Sequence, residues 1–202
     1  MPDKKPTKGE ATRDAVENAA IDLFLEQGYH ATTMRQIAER TGLALGGIYN
    51  HFAGKEEIFV GIIVDQHPYK KILPAVVAAQ GDTAEEFFKS AFHIIISEMG
   101  DRPEFVNLML IELVEFKGRH GATMIREIAP KILPLFEKLI RTRKSLRVTN
   151  PAVMMRSFMG LIVSYLVTEM VISKSVVSKL MPNNIPDIYV DNFLHGVLKP
   201  TA

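Results

Sequence analysis

At 202 residues the chain is long enough to bury a sizeable core, either as one large domain or as a small domain beside a larger one. Hydrophobic residues make up 47%, charged residues 23%, cysteine is absent and the formal net charge is +1. These figures exclude a disulfide scaffold and a chain drawn to nucleic acid by bulk charge, and a cysteine-free composition fits a reducing cytoplasm.

The first ten residues, Met1 to Glu10, are polar, hold two prolines and lack the apolar stretch of a signal peptide, so they read as a disordered arm. A first helix is predicted over Thr12–Gln27, where Val16, Ala19, Ala20, Leu23 and Phe24 share one face and Gly28 suits a C-cap. Two short helices follow, near Met34–Arg40 and Leu45–Asn50. A longer helix from Lys55 stops at Pro68 and resumes to about Ala79. Asp82 with Glu85 resembles a capping box that opens a helix to Met99, and Pro103 suits the first turn of the next, ending near Gly118. Further helices fit Thr123–Thr142, kinked at Pro130 and Pro134, then Pro151–Ser173 and Ile185–Leu198. The longest hydrophobic stretch, Phe158–Val167, is broken by Gly160 and Ser164 and falls short of the ~18 residues of a membrane span, so a soluble protein with no membrane partner is expected.

The segment Thr32–His51 carries the functional signal. Thr33 and Gln36 have the spacing of a capping box, Ala38 is small enough for a second helix to approach, and Gly42 sits where a tight turn needs positive φ. Leu43 and Ile48 supply the apolar contacts that lock the second helix across the first. This is the helix-turn-helix pattern, which presents its second helix to the major groove. Residues 1–55 hold seven Lys/Arg and seven Asp/Glu, so the case rests on where charges sit. Lys55 is one such place: a cation in a first helical turn opposes the dipole, and a phosphate bound there would resolve the conflict.

The run Ile48–Phe59, with Tyr49, His51, Phe52, Lys55, Glu56 and Phe59, resembles the tetracycline-repressor (TetR) family, in which a Tyr-x-His/Tyr-Phe end to the recognition helix precedes a Lys-Glu start to the fourth. The resemblance covers about residues 12–60. It implies an all-α fold: a three-helix DNA-binding domain over 1–56, the arm 1–10 included, and a larger helical effector-binding and dimerisation domain over 57–202. It also implies a cytoplasmic homodimer that represses transcription from double-stranded operator DNA until a small-molecule effector releases it. By the same resemblance Thr32, Thr33, Tyr49 and His51 contact phosphates, Gly46, Gly47 and Asn50 lie nearest the bases, and Arg35 reaches either. The chain departs from the family pattern at Ala44, where a capping Ser or Thr is frequent, and at Leu45, which points to thymine-methyl contact.

In the remainder, residues 103–116 are apolar around most of a helix, and His93, Asn107 and Glu112 interrupt oily faces. Each such group needs a partner, either a neighbouring side chain or a ligand in a cavity. The effector candidates are His93, Asn107, Met109, Glu112, Phe116 and Tyr165. The ten methionines could line such a cavity or simply fill the core. Val153, Ser157, Gly160, Ser164 and Thr168 form a small-residue stripe, and Ile185, Ile188, Tyr189, Asn192, Phe193, Gly196 and Val197 form a face on the last helix. Both suit a dimer interface, which the resemblance assigns to them, or packing within one subunit. Arg141, Arg143, Lys144 and Arg147 read as a solvated helix end. Gly54-Lys55 lacks P-loop spacing and the six histidines offer no metal pair one turn apart, so no enzyme, metal or cofactor is expected. A helical adaptor that has lost DNA binding is the rival reading.

Overall fold

Thr7 accepts the amide of Glu10 at 3.3 Å while the Glu10 carboxylate accepts the Thr7 amide at 2.7 Å, and this capping box starts α1 at Lys8. The helix therefore takes in residues 8–10, which are helical and not part of a disordered arm. The computed structural model describes residues 7–78, 83–142 and 150–197, and among these there is no strand. Arg143, Lys144 and Arg147, the Arg141 side chain and the Asp82 cap lie outside the described residues.

The described helices are α1 (Lys8–Gln27), α2 (Met34–Thr41), α3 (Leu45–Tyr49), α4 (Lys55–Gly61), α5 (Tyr69–Ala78), α6 (Ala84–Gly100), α7 (Glu104–Glu115), α8 (Gly121–Thr142), α9 (Pro151–Ile172) and α10 (Ile185–Val197). A π-helical segment, Ile62–Gln66, continues α4, and a 3₁₀ turn, Val176–Leu180, follows α9. The box that opens α6 is made by Thr83 and Glu86, one residue on from the Asp82–Glu85 pair read from the sequence. α8 is continuous through Pro130 and Pro134.

The chain divides into two compact units. The first joins residues 1–67 to 107–127, and the second joins 68–106 to 128–202. A cut between residues 56 and 57 does not anticipate the return of 107–127 to the N-terminal helices. That return has an aromatic cause. Phe116 stacks on Phe59 with centroids 4.7 Å apart and meets Tyr29 edge-on at 4.7 Å, while Phe24 closes on Tyr29 at 5.2 Å. Such pairs add about 0.5–1.5 kcal/mol beyond their burial. Around the rings, the His120 ring meets the carboxylates of Glu112 at 2.8 Å and Glu56 at 3.1 Å, Arg119 meets Glu56 at 2.8 Å, and His30 meets Glu115 at 2.6 Å.

The second unit is built on Phe88, Phe158 and Phe193, which bring α6, α9 and α10 together with centroids 4.9–5.6 Å apart. At 22 residues with a best-window mean hydropathy of 1.4, α9 is long and apolar enough to cross a membrane by length and composition. The stretch Phe158–Val167 is shorter because Ser157 and Thr168 bound it. In this fold α9 packs Met154, Phe158 and Ile162 inward and leaves Val153, Met159, Val163 and Val171 exposed.

Candidate nucleic-acid interface

The turn between α2 and α3 is set by Gly42, whose φ of 68° and ψ of 17° lie in the left-handed region that glycine enters at least cost. Its amide and that of Leu43 return to the carbonyls of Ala38 and Glu39, closing α2 at 3.1–3.3 Å. At the other end of α2, the Thr33 and Gln36 side chains cap each other's backbone amides. Ile37, Ala38, Ile48 and Phe52 are buried, so α3 is held by its inner face.

What α3 leaves outside is small. Ala44, Leu45, Gly46, Tyr49 and Asn50 are exposed, Gly47 and His51 are half-buried, and no side chain caps the helix at Ala44. A Cβ added to Gly46 or Gly47 would meet nothing within 4 Å, and neither has positive φ. The fold itself does not require glycine at either position, although glycine in a helix costs up to about 1 kcal/mol relative to alanine. A bare backbone on an exposed recognition helix suits close approach by a groove wall. Thr33 and Arg35 flank this surface on α2, Arg35 exposed and paired along its own helix with Glu39 at 3.1 Å.

Two expected phosphate ligands sit elsewhere. The Thr32 side chain is buried, its hydroxyl donating to the carbonyls of Gly28 at 2.9 Å and Leu23 at 3.2 Å. It ends α1 rather than facing solvent. Lys55 reaches from the start of α4 to the carbonyl oxygens of Tyr29, His30 and Thr32 and lies 4.3 Å over the Tyr29 ring. Partial burial pushes its pKa below the ordinary lysine value, opposed by the nearby Glu115 carboxylate. The conflict between a cation and the helix dipole is thus met by backbone carbonyl dipoles.

The six effector candidates divide between the two units. In the second unit, His93 is half-exposed and bonds Asp187 at 2.8 Å, and the Tyr165 ring lies edge-on to Phe92 at 5.5 Å and Tyr189 at 5.3 Å. Asn107, Met109, Glu112 and Phe116 fall in the first unit. There Glu112 is spent on the His120 amide and ring, and Phe116 on the aromatic cluster. An open groove of about 420 Å³ lies between α9 and α10, lined by Ser157, Leu161, Ser164, Tyr189, Asn192 and Phe193. Among the described residues no group of three or more His, Cys, Asp or Glu side chains could hold a metal.

Sequence reasoning missed Glu17, buried to 1% exposure on α1. A charged residue beside Val16 reads as surface, and only the absence of a Cβ at Gly61 hints at the space it fills.

A capped α2, a glycine turn and a short α3 exposed along one side define a helix-turn-helix protein. Residues 18–62 match the family model described as bacterial regulatory proteins, tetR family. The transcriptional repressor BepR of Brucella suis is 30% identical over 146 residues, covering 67% of this chain and 68% of that protein. The chain belongs to the tetR family. The transcriptional regulator SrpR of Pseudomonas putida is 36% identical over 69 residues, so the match spans 34% of this chain and about a third (32%) of that relative's length. The solved complex of SmeT with triclosan, SmeT being the repressor of a Stenotrophomonas maltophilia multidrug efflux pump, shares the fold. Its TM-score is 0.68 at 21% identity, over 94% of this chain and 92% of that one.

Proposed function

We propose that this chain is a cytoplasmic homodimeric transcription regulator, a repressor that leaves a palindromic operator when a small, largely apolar effector binds. The observation that carries the reading is α3: five residues, locked inward by Ile48, with Gly46 and Gly47 bare and Leu45, Tyr49 and Asn50 exposed. Thr33, Arg35, Tyr49 and His51 take the phosphate-facing roles, and Lys55 and Thr32 hold the loop that presents them. One such helix has too little surface for operator affinity, whereas a two-fold pair matches a palindrome.

The uncovered apolar face of α9 and the groove beside α10 support a dimer through these two helices. The triclosan complex of SmeT supports an apolar effector, for which Tyr165, among Phe92 and Tyr189, and His93 are the candidates that lie in the second unit. Asn107 and Met109 stay as lining candidates, while Glu112 and Phe116 hold the first unit together. A gel shift with duplex DNA from upstream of its own gene, against random duplex of equal length, tests the reading. Retention of the upstream fragment alone supports it, and equal retention of both refutes it.

A further inference from the structure

The Glu17 carboxylate is the buried charge that DNA recognition leaves unexplained, and its partners Arg13 and Gln66 lie at the join between α1 and the helix that leaves the DNA-binding helices. Its Oε2 accepts Gln66 Nε2 at 2.8 Å. Its Oε1 lies 3.2 Å from Arg13 Nε and has no hydrogen bond of good geometry. Arg13 in turn stacks over Phe52 at 4.3 Å and stands 3.9 Å from Asp65. The α4 backbone closes on this carboxylate at Gly61, where an added Cβ would stand 2.6 Å from Glu17 Oε1 and 2.9 Å from Arg13 Nη2.

The helix changes type at that point. Gly61 is the last α-helical residue of α4, and the π segment begins at Ile62 and ends at Gln66, the residue that bonds Glu17. Five residues separate Gly61 from Gln66, which places them roughly 140° apart around an α-helix of 3.6 residues per turn. The i→i+5 closure of a π-helix brings them close to one face. One carboxylate can meet both the glycine backbone and the glutamine amide only in the wider register. A π-helix is rare and less favourable than α, so something outside it must select it.

We propose that Glu17 is a positioning residue that selects the π register of Ile62–Gln66 and so sets how the helix leaves the DNA-binding helices in the operator-binding form. This rests on the DNA-binding reading given above. Burial of the carboxylate, which pushes its pKa upward against the hydrogen bond from Gln66 and the charge of Arg13, is the cost of that selection.

The test uses the full chain and three variants, Glu17→Gln, Glu17→Leu and Gln66→Met. The readouts are amide exchange at residues 62–66, melting temperature, and affinity for the upstream duplex. Glu17→Leu removes a buried charge, so its melting temperature should equal or exceed that of the wild type. Gln66→Met removes the donor to Glu17 and serves if the leucine variant fails to fold. Both should exchange about tenfold faster at 62–66 and bind DNA about tenfold more weakly. Glu17→Gln keeps an acceptor for Gln66 and should stay within about threefold of wild type in both readouts. Unchanged exchange in Gln66→Met and Glu17→Leu overturns the register claim. Faster exchange with wild-type affinity overturns the positioning claim. If the wild type itself ignores the duplex, the DNA-binding reading fails, while the exchange comparison still decides the register.

Discussion

The Lys55 ammonium donates to the carbonyl oxygen of Thr32 at 2.7 Å, and two further carbonyls, those of Tyr29 and His30, also accept from it. It ties the start of α4 to the connection between α1 and α2, one residue before the Thr33 cap. Lys55→Met should lower the stability of the chain by about 1–3 kcal/mol, the range for charge-assisted bonds to groups left buried. DNA affinity should fall with it, but its log–log salt dependence should keep the same slope. A lysine on a phosphate would instead shallow that slope by roughly one unit when removed. Titrations at several salt concentrations separate the two roles.

Gly46 and Gly47 are free of any steric need for glycine within the subunit. Alanine at either position should therefore raise helix stability by up to about 1 kcal/mol. The same methyl group would stand between α3 and the groove, so affinity for the upstream duplex should fall about tenfold or more. Thermal unfolding and gel shifts on the same samples check this. A variant that is both more stable and equally tight in binding would remove α3 from the interface.

Gly160 is exposed on α9, and a Cβ there would meet nothing within 4 Å inside the subunit. Gly160→Leu should leave the subunit folded by circular dichroism. At a close helix crossing between protomers it would overpack by about 1–3 kcal/mol, or about 5- to 150-fold in dimer dissociation. Sedimentation across a concentration series reads this directly. Unchanged dissociation would move the interface away from this stretch of α9.

Burial holds the Glu17 carboxyl above its ordinary value, with Gln66 and Arg13 opposing the shift. The folded state therefore binds that proton more tightly than the unfolded chain. The ionised form costs stability above the folded pKa, and the cost fades as pH falls below the unfolded value. Relative to wild type, Glu17→Gln should gain most at neutral pH and lose that advantage on acidification. Melting temperatures measured from neutral to mildly acidic pH test the sign, and a gap that widens on acidification would contradict it.

The N-terminal helices were legible because their signals are local. Thr33 and Gln36 lie three residues apart, Gly42 follows Ala38 by four and Ile48 follows it by ten. The partners of Lys55 were not legible. The dipole conflict at α4 correctly demanded a negative group, but carbonyls 23 to 26 residues away satisfy it, and that contact exists only after folding. Thr32 misled for a similar reason, since its hydroxyl ends α1 and its neighbour Thr33 alone faces out. The return of Phe116 to Phe59 and Tyr29, and the burial of Glu17 against Gly61, depend on pairs 44 or more residues apart. Helical periodicity carries no information at that range.

The most direct measurement is fluorescence anisotropy of labelled duplex DNA titrated with the purified chain at one moderate salt concentration. The upstream fragment and a random duplex of equal length are compared side by side. A helix-turn-helix dimer on its operator should prefer the upstream fragment by about 10³-fold or more. Equal affinity for the two duplexes would contradict sequence-specific recognition by α3.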